Sequence, residues 1–328
     1  MRAFVTGGTG FLGSRVIQRL VARGDEVVAL AREGAAADAL EARGVEVVRG
    51  DLGDVEPLLP VAAGCDVVFH VGARVTTSGA WEEFFRVNVE AAQKLCDAAL
   101  AGRARRFVHV SSLGIFDIDR DGMSIGDEGD YDRRPMLRGH YTRSKLDADR
   151  LMCTAVRTGK NVVVVRPGVL FGPKPAGQGI FLGRVKKFLN PDLLAVVSSP
   201  AYRVPLVYVE NAADAVVLAG TAEGVDRGIF NVIDDPDLTQ QRYFRTLSEA
   251  RPRPLRVVYL PVSLLAPAVL AVDFVHKLVK RRPWAAAYQL LRSERSARYA
   301  TDAARTRLGW SPAVDLRTSL QESLQGGA

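Results

Sequence analysis

Short apolar runs punctuate the first 170 residues: Ala3–Val5, Val27–Ala31, Val45–Val48, Val67–Phe69, Phe107–Val110 and Val162–Val165. Each is nearly continuous and rich in valine or phenylalanine, as strands buried on both faces should be. Between them lie stretches with helical spacing of apolar residues: Phe11–Ala22, Ala35–Ala42, Val55–Ala63, Trp81–Leu100 and Tyr141–Arg157. Strand and helix alternating in this way predict βαβ units and an α/β fold, a Rossmann-type doubly wound parallel sheet. Gly24, Gly44 and Gly64 each follow a predicted helix, where a left-handed C-terminal cap is wanted. After Arg166-Pro167 the rhythm breaks, and proline and glycine are dense through Pro167–Gly183 and Pro252–Pro267. Val204–Val209 and Ile229–Ile233 read as strands, and 180–190, 211–222, 238–250, 263–280 and 302–308 as helices. The pattern divides the chain into a first α/β domain, 1–170, with a returning strand near 204–233, and a smaller α/β lobe over 171–328.

Composition fits a globular protein, with 48% hydrophobic and 25% charged residues. The first strand begins almost at Met1, so no leader peptide is expected. Cys65, Cys96 and Cys153 are scattered and odd in number, which argues against a disulfide framework and fits a reducing cytoplasm. His70, His109, His140 and His276 show no ligand spacing, so no metal is expected. Residues 1–170 hold 23 basic and 23 acidic residues; residues 171–328 hold 21 and 14, so the whole net charge of +7 lies there. Only Lys277–Arg282 is a tight basic cluster, which argues against nucleic acid as a partner. An anionic substrate, an anionic membrane surface or a solvated positive face all fit this asymmetry. The apolar stretch Leu260–Val279 is broken by Pro261, Pro267 and Asp273, too short and interrupted to span a bilayer. With the basic cluster, 260–282 reads either as a peripheral membrane contact or as an apolar lid over a greasy substrate pocket.

Candidate chemistry begins at Thr6-Gly7-Gly8-Thr9-Gly10-Phe11-Leu12-Gly13, directly after the first strand and before the first helix. Glycines at this spacing permit the tight turn, close approach of a pyrophosphate and close helix–strand packing. The helix start supplies free N–H groups and a favourable dipole for the phosphates. Tyr141-Thr142-Arg143-Ser144-Lys145 places Tyr141 and Lys145 one helical turn apart, where an ammonium would lower the phenol pKa for acid–base work. Phe107–Val110 ends in Ser111-Ser112, hydroxyls at the end of a sheet strand that can bond a substrate oxygen.

On these motifs the chain resembles the extended short-chain dehydrogenases/reductases of the NAD-dependent epimerase/dehydratase superfamily, over nearly its full length. The family's glycine motif is matched by Thr6–Gly13, with Gly7, Thr9, Gly10, Phe11, Leu12 and Gly13 at the cofactor. Its acidic and apolar pair at the adenine is matched by Asp51-Leu52. Its strand end is matched by Val68-Phe69-His70-Val71-Gly72-Ala73, where Gly72 departs from the usual alanine. The resemblance makes Ser112, Tyr141, Lys145 and Asn88 the catalytic set, with Asn88 holding helix geometry or a water; a buried amide bonded to backbone is the alternative. It also places Lys145, Pro167 and Val169 at the cofactor, the last two within Arg166–Pro173. What it implies is hydride exchange with Tyr141 as proton donor or acceptor.

An NAD-preferring member carries an acid at the end of the second strand. Here that position is Ala31, followed by Arg32, a cation where a 2′-phosphate would sit, so NADP is favoured over NAD. Glu33 is the competing group for a ribose hydroxyl. The stretch Leu260–Arg282 resembles the 3β-hydroxysteroid dehydrogenase-like branch, whose substrates are apolar, sterols and long-chain 2-alkyl-3-oxo acids among them. A sugar-nucleotide epimerase or dehydratase and a non-enzymatic NADP sensor are the alternatives. The helices Trp81–Leu100 and Tyr141–Arg157 are apolar enough to allow a homodimer.

Overall fold

The computed structural model describes residues 1–325 except 77, 119–121, 128, 130, 174–185, 188–191, 198, 262, 264–266, 268–269, 272–273 and 275–294. The main sheet holds β1 (Arg2–Thr6), β2 (Glu26–Ala31), β3 (Glu46–Arg49), β4 (Val67–His70) and β5 (Arg106–Val110). It continues with β7 (Val162–Pro167) and β12 (Gly228–Val232). Every pairing is parallel, in the order β12-β7-β5-β4-β1-β2-β3. The order reverses between β1 and β4, and the crevice beyond their C-terminal ends is where such sheets take ligands.

Both faces are covered, which is why the strands read as continuous apolar runs. One face, with Ala3, Val5, Val27, Ala29, Phe69 and Val163, packs on α1 (Phe11–Ala22) and α7 (Val209–Thr221). The other, with Phe4, Val28, Val68, Phe107 and Val162, packs on α5 (Ala91–Ala101) and α6 (His140–Arg157). The short helix α2 (Ala35–Glu41) links β2 to β3.

Several boundaries differ from the sequence reading. Trp81–Leu100 is α4 (Trp81–Phe85), a π-helical turn (Arg86–Glu90) and α5, so the helix is locally widened around Asn88. Val55–Ala63 is a 3₁₀ turn (Glu56–Leu58) leading into α3 (Leu59–Ala63), because Pro57 and Pro60 suit only first-turn positions. Gly24 and Gly44 are left-handed, as a C-terminal cap requires; Gly64 is not, with φ −84°.

The strand expected at Val204–Val209 is shorter. β11 (Leu206–Tyr208) pairs with β8 (Val169–Phe171) outside the main sheet, and Val209 already opens α7. The strand expected at Ile229–Ile233 is β12, the edge of the main sheet beside β7. Thus 209–232 returns to the first domain, tied to α1 by Arg15–Glu210, Arg19–Glu210 and Arg19–Asp214.

The second lobe carries β9 (Lys186–Lys187), β10 (Leu193–Val197) and β13 (Arg256–Leu260) in one small sheet. The helix expected at 180–190 falls mostly outside the described residues, and its described part is strand β9. α8 (Gln240–Ala250), α9 (Asp302–Thr306) and α10 (Leu316–Gln325) complete the described helices with more than isolated residues. Of 263–280, Ser263, Pro267, Leu270, Ala271 and Phe274 are described as helical and exposed; the rest lies outside the described residues, as does most of the segment 260–282. Among the described residues, no helix is long and apolar enough to cross a membrane. Finally β14 (Ala297–Tyr299) runs parallel to β6 (Met123–Ile125), which brings the C-terminal lobe against the loop after β5.

Candidate active site

The glycine turn is built so that no side chain fits inside it. A Cβ on Gly7, at φ +71°, would sit 2.6 Å from the Cα of Gly72. One on Gly13 would sit 2.1 Å from the Gly7 carbonyl oxygen. The turn therefore lies tight against the end of β4, and α1 starts directly on it. Gly10 caps that helix without a side-chain hydrogen bond, and the helix start, Gly10 to Gly13, lines the cavity. Thr6 Oγ1 locks the two strand ends together: it accepts from Gly72 N–H at 3.1 Å and meets His70 Nδ1 at 3.0 Å. Burial pushes His70 down to about 3, so the ring is neutral and serves as a fixed partner for Thr6. This account explains why a histidine closes β4.

Across the crevice, the backbone N–H of Gly114 donates to Ser112 Oγ at 3.0 Å. That bond fixes the hydroxyl oxygen and leaves its proton free to donate into the cavity. Tyr141 opens α6 one residue after its start, following Gly139 at φ +93°. Burial pushes its phenol above the ordinary value, so it is protonated at neutral pH. Lys145 is 5% exposed and donates to the Val110 carbonyl at 2.8 Å. Burial pulls its ammonium down to about 8, partly offset by Asp149 one turn further on. The lowering of the Tyr141 pKa expected from the i,i+4 cation is therefore not the net effect in this geometry. Desolvation of the buried phenol sets the direction.

Asn88 sits beside this set rather than in it. Its amide oxygen accepts from Arg74 N–H at 2.7 Å, and its Nδ2 donates to Arg74 carbonyl and to Ser144 Oγ at 2.8 Å. It is 2% exposed and is not part of the lining of the cavity described below, and its bonds hold the loop after β4 against α6, one of the places expected for it.

A cavity of about 850 Å³ runs from the glycine turn to the C-terminal lobe. It brings together Gly7, Gly10, Phe11, Leu12, Gly13, Val71, Gly72, Ala73, Ser112, Tyr141, Lys145, Pro167 and Val169 from the expected set. Thr9, Arg32, Asp51 and Leu52 lie outside its lining. Thr9 is exposed, and Leu52 packs against Gly72. Arg32 stands exposed at the tip of β2 with no partner among the described residues. Glu33, the rival for a ribose, is instead tied to Arg49 on β3, which also holds Asp38 and Glu41. Asp51 turns its carboxylate onto Gly53 N–H.

The far wall was missed in sequence. Val75, Ile118, Arg138, Leu170, Pro205, Arg295 and Tyr299 line it, and they come from six separate stretches of chain. Arg138 alone carried a signal, three residues before Tyr141.

The model of the NAD dependent epimerase/dehydratase family matches residues 3–232, and the chain belongs to that family. It is 32% identical, over 75% of its length and 72% of the relative's, to a 4-hydroxy-2-methyl-3-oxo-4-farnesyl-3,4-dihydroquinoline-1-oxide ketoreductase of Stigmatella aurantiaca. It is 24% identical, over 97% and 98%, to a sterol-4-alpha-carboxylate 3-dehydrogenase, decarboxylating, of Dictyostelium discoideum. The fold is shared with a UDP-glucuronic acid 4-epimerase from Bacillus cereus in complex with NAD, at TM-score 0.71, 17% identity and coverage of 98% and 94%.

Proposed function

We propose that this chain is an oxidoreductase that interconverts a ketone and a secondary alcohol on a hydrophobic substrate and prefers NADP. The observation that carries the reading is that Ser112, Tyr141 and Lys145 line the same cavity as the glycine turn. The residues fit a dinucleotide: a turn with no room for a Cβ, an uncapped helix start and glycine at Gly72. The nicotinamide, when bound, supplies or accepts the hydride. Everything else falls to the chain. Ser112 donates its hydroxyl proton to the substrate oxygen and orients it. Tyr141, held protonated by burial, is a proton donor poised for a ketone oxygen. Lys145 places a positive charge where negative charge grows on that oxygen. Val75, Ile118, Val169, Leu170 and Pro205 exclude water and give the substrate an apolar wall.

The NADP preference rests on Arg32, unpartnered at the end of β2, and on Glu33 being held by Arg49. A 2′-phosphate would gain a charge-assisted bond there. The apolar wall favours a hydrophobic ketone over a sugar nucleotide. The test is consumption of NADPH against steroids, aryl ketones and 3-oxoacyl compounds, with UDP-sugars as the counter-arm. Turnover of a hydrophobic ketone supports the reading. Interconversion of UDP-sugars with no net cofactor consumption would overturn it. The membrane contact through 260–282 and a homodimer through α4, α5 and α6 stay proposals of the same kind, tested by vesicle co-sedimentation and by mass in solution.

A further inference from the structure

The proposed proton donor stands on the end of α6 that the helix itself holds least. Gly139 precedes the helix at φ +93° and gives it no side-chain cap, and the first turn closes by Arg143 N–H donating to the Gly139 carbonyl at 3.3 Å. An uncapped first turn frays unless something outside the helix holds it. Two contacts from the segment Trp81–Glu90 do so. Ser144 Oγ donates to the Tyr141 carbonyl at 2.9 Å and accepts from Asn88 Nδ2 at 2.8 Å. The second contact is aromatic. The Trp81 ring lies 5.8 Å from that of His140, and the Arg143 guanidinium stacks 3.7 Å from the centre of the same indole. Trp81 thus holds a residue on each side of Tyr141.

Phe84, one turn along α4 and 1% exposed, also meets His140, at 5.8 Å. The Arg74 guanidinium lies 5.3 Å from the centre of the Phe84 ring and bonds Glu83 at 2.8 Å. Arg74 continues the stretch Val71–Ala73, which lines the cavity and packs on Gly7 of the glycine turn. So α4 grips both the turn that bears Tyr141 and the loop that closes on the glycine turn. Trp81, Phe84, His140 and Arg143 are all outside the lining of that cavity, so their part is not contact with a substrate.

On the ketone–alcohol reading above, we infer that Trp81 is a positioning residue: through His140 and Arg143 it fixes the first turn of α6, and with it the Tyr141 hydroxyl, relative to Ser112 and the glycine turn. The chemistry requires such a fix. Tyr141 gives its proton to the oxygen of the same carbonyl whose carbon takes the hydride, so its hydroxyl must be in register with substrate and dinucleotide together. A misplacement of about 1 Å can cost on the order of a hundredfold in rate. An indole suits the task, because it offers a wide, stiff face that a guanidinium binds by charge as well as by contact.

The experiment measures kcat and KM for NADPH-dependent reduction of a hydrophobic ketone in wild type, Trp81→Ala, Trp81→Phe, Tyr141→Phe and the Trp81→Ala/Tyr141→Phe pair. Trp81→Ala should lower kcat about ten- to a hundredfold, with KM for NADPH and for the ketone within about twofold of wild type. Trp81→Phe keeps a ring for His140 and Arg143 and should bring kcat back to within about threefold of wild type. In the Tyr141→Phe background the same alanine change should cost less than about twofold more, since the group it positions is already gone. An unchanged kcat in Trp81→Ala, or a loss that adds in full to that of Tyr141→Phe, would overturn the inference and leave the ketone–alcohol reading intact. A wild type that reduces no ketone with NADPH would overturn that reading and the inference with it. If Trp81→Ala does not fold, judged by far-ultraviolet circular dichroism, His140→Ala replaces it: that variant removes the ring contact from the other side and leaves Trp81 on Arg143, and the same losses decide the matter.

Discussion

Replacing Tyr141 by Phe removes the proposed proton donor and keeps the ring. Ketone reduction by Tyr141→Phe should fall by about 10²- to 10⁴-fold in kcat, with the near-ultraviolet circular dichroism unchanged. Lys145 makes a different prediction, about stability. Its folded-state pKa, about 8, lies below the ordinary 10.5 of a lysine. The unfolded chain therefore binds more protons between those values, and stability rises with pH through that window. Below about pH 8 the full cost of the buried charge is present. Chemical denaturation of wild type and Lys145→Met across pH 7 to 10.5 should show the difference between them changing in wild type's favour as pH rises. Arg32→Ala should weaken NADP by roughly tenfold or more and leave NAD little changed, read by thermal shift with each dinucleotide. A wild type that prefers NAD would remove the argument from Arg32.

At the scale of elements, α6 carries Tyr141 and Lys145, and buried ionic contact ties it to β7. Arg166 on β7 bonds both carboxylate oxygens of Asp149, at 2.8 and 2.6 Å, with both side chains essentially inaccessible. Tyr131 adds a third bond to the same carboxylate. Arg166→Met would strand a buried Asp149, at a cost of about 3–5 kcal/mol measured by denaturant unfolding. Arg166→Met with Asp149→Leu should recover much of that loss. The motif Arg166-Pro167 was readable in sequence, but its physical role was not, because Asp149 lies 17 residues away and meets it only once α6 packs on the sheet. Asn88 is a similar case. Its place in the motif was legible, yet the widened π turn and its bonds to Arg74 and Ser144 depend on how two helices and a loop meet.

At the scale of the molecule, α7 and β12 close the first domain although they lie far along the chain. A fragment ending at residue 170 would expose the edge of β7 that β12 pairs with and the side of α1 that α7 covers. It should show far-ultraviolet helix signal without near-ultraviolet structure, while a chain extended through 250 should recover it in part. A fully cooperative, native-like fragment 1–170 would contradict the packing described.

The first half was legible for a physical reason. Parallel strands buried on both faces must be apolar throughout, and a phosphate turn with no room for a Cβ must be glycine. Such constraints act on neighbours in sequence, so the sheet, the glycine turn, Ser112, Tyr141 and Lys145 could all be read from the chain. The far wall obeys no local constraint. Arg295 and Tyr299 reach the cavity because β14 pairs with β6, Ala297 with Met123 and Tyr299 with Ile125. Only that long-range pairing brings these two residues of the C-terminal lobe to the cavity that Ser112, Tyr141 and Lys145 line.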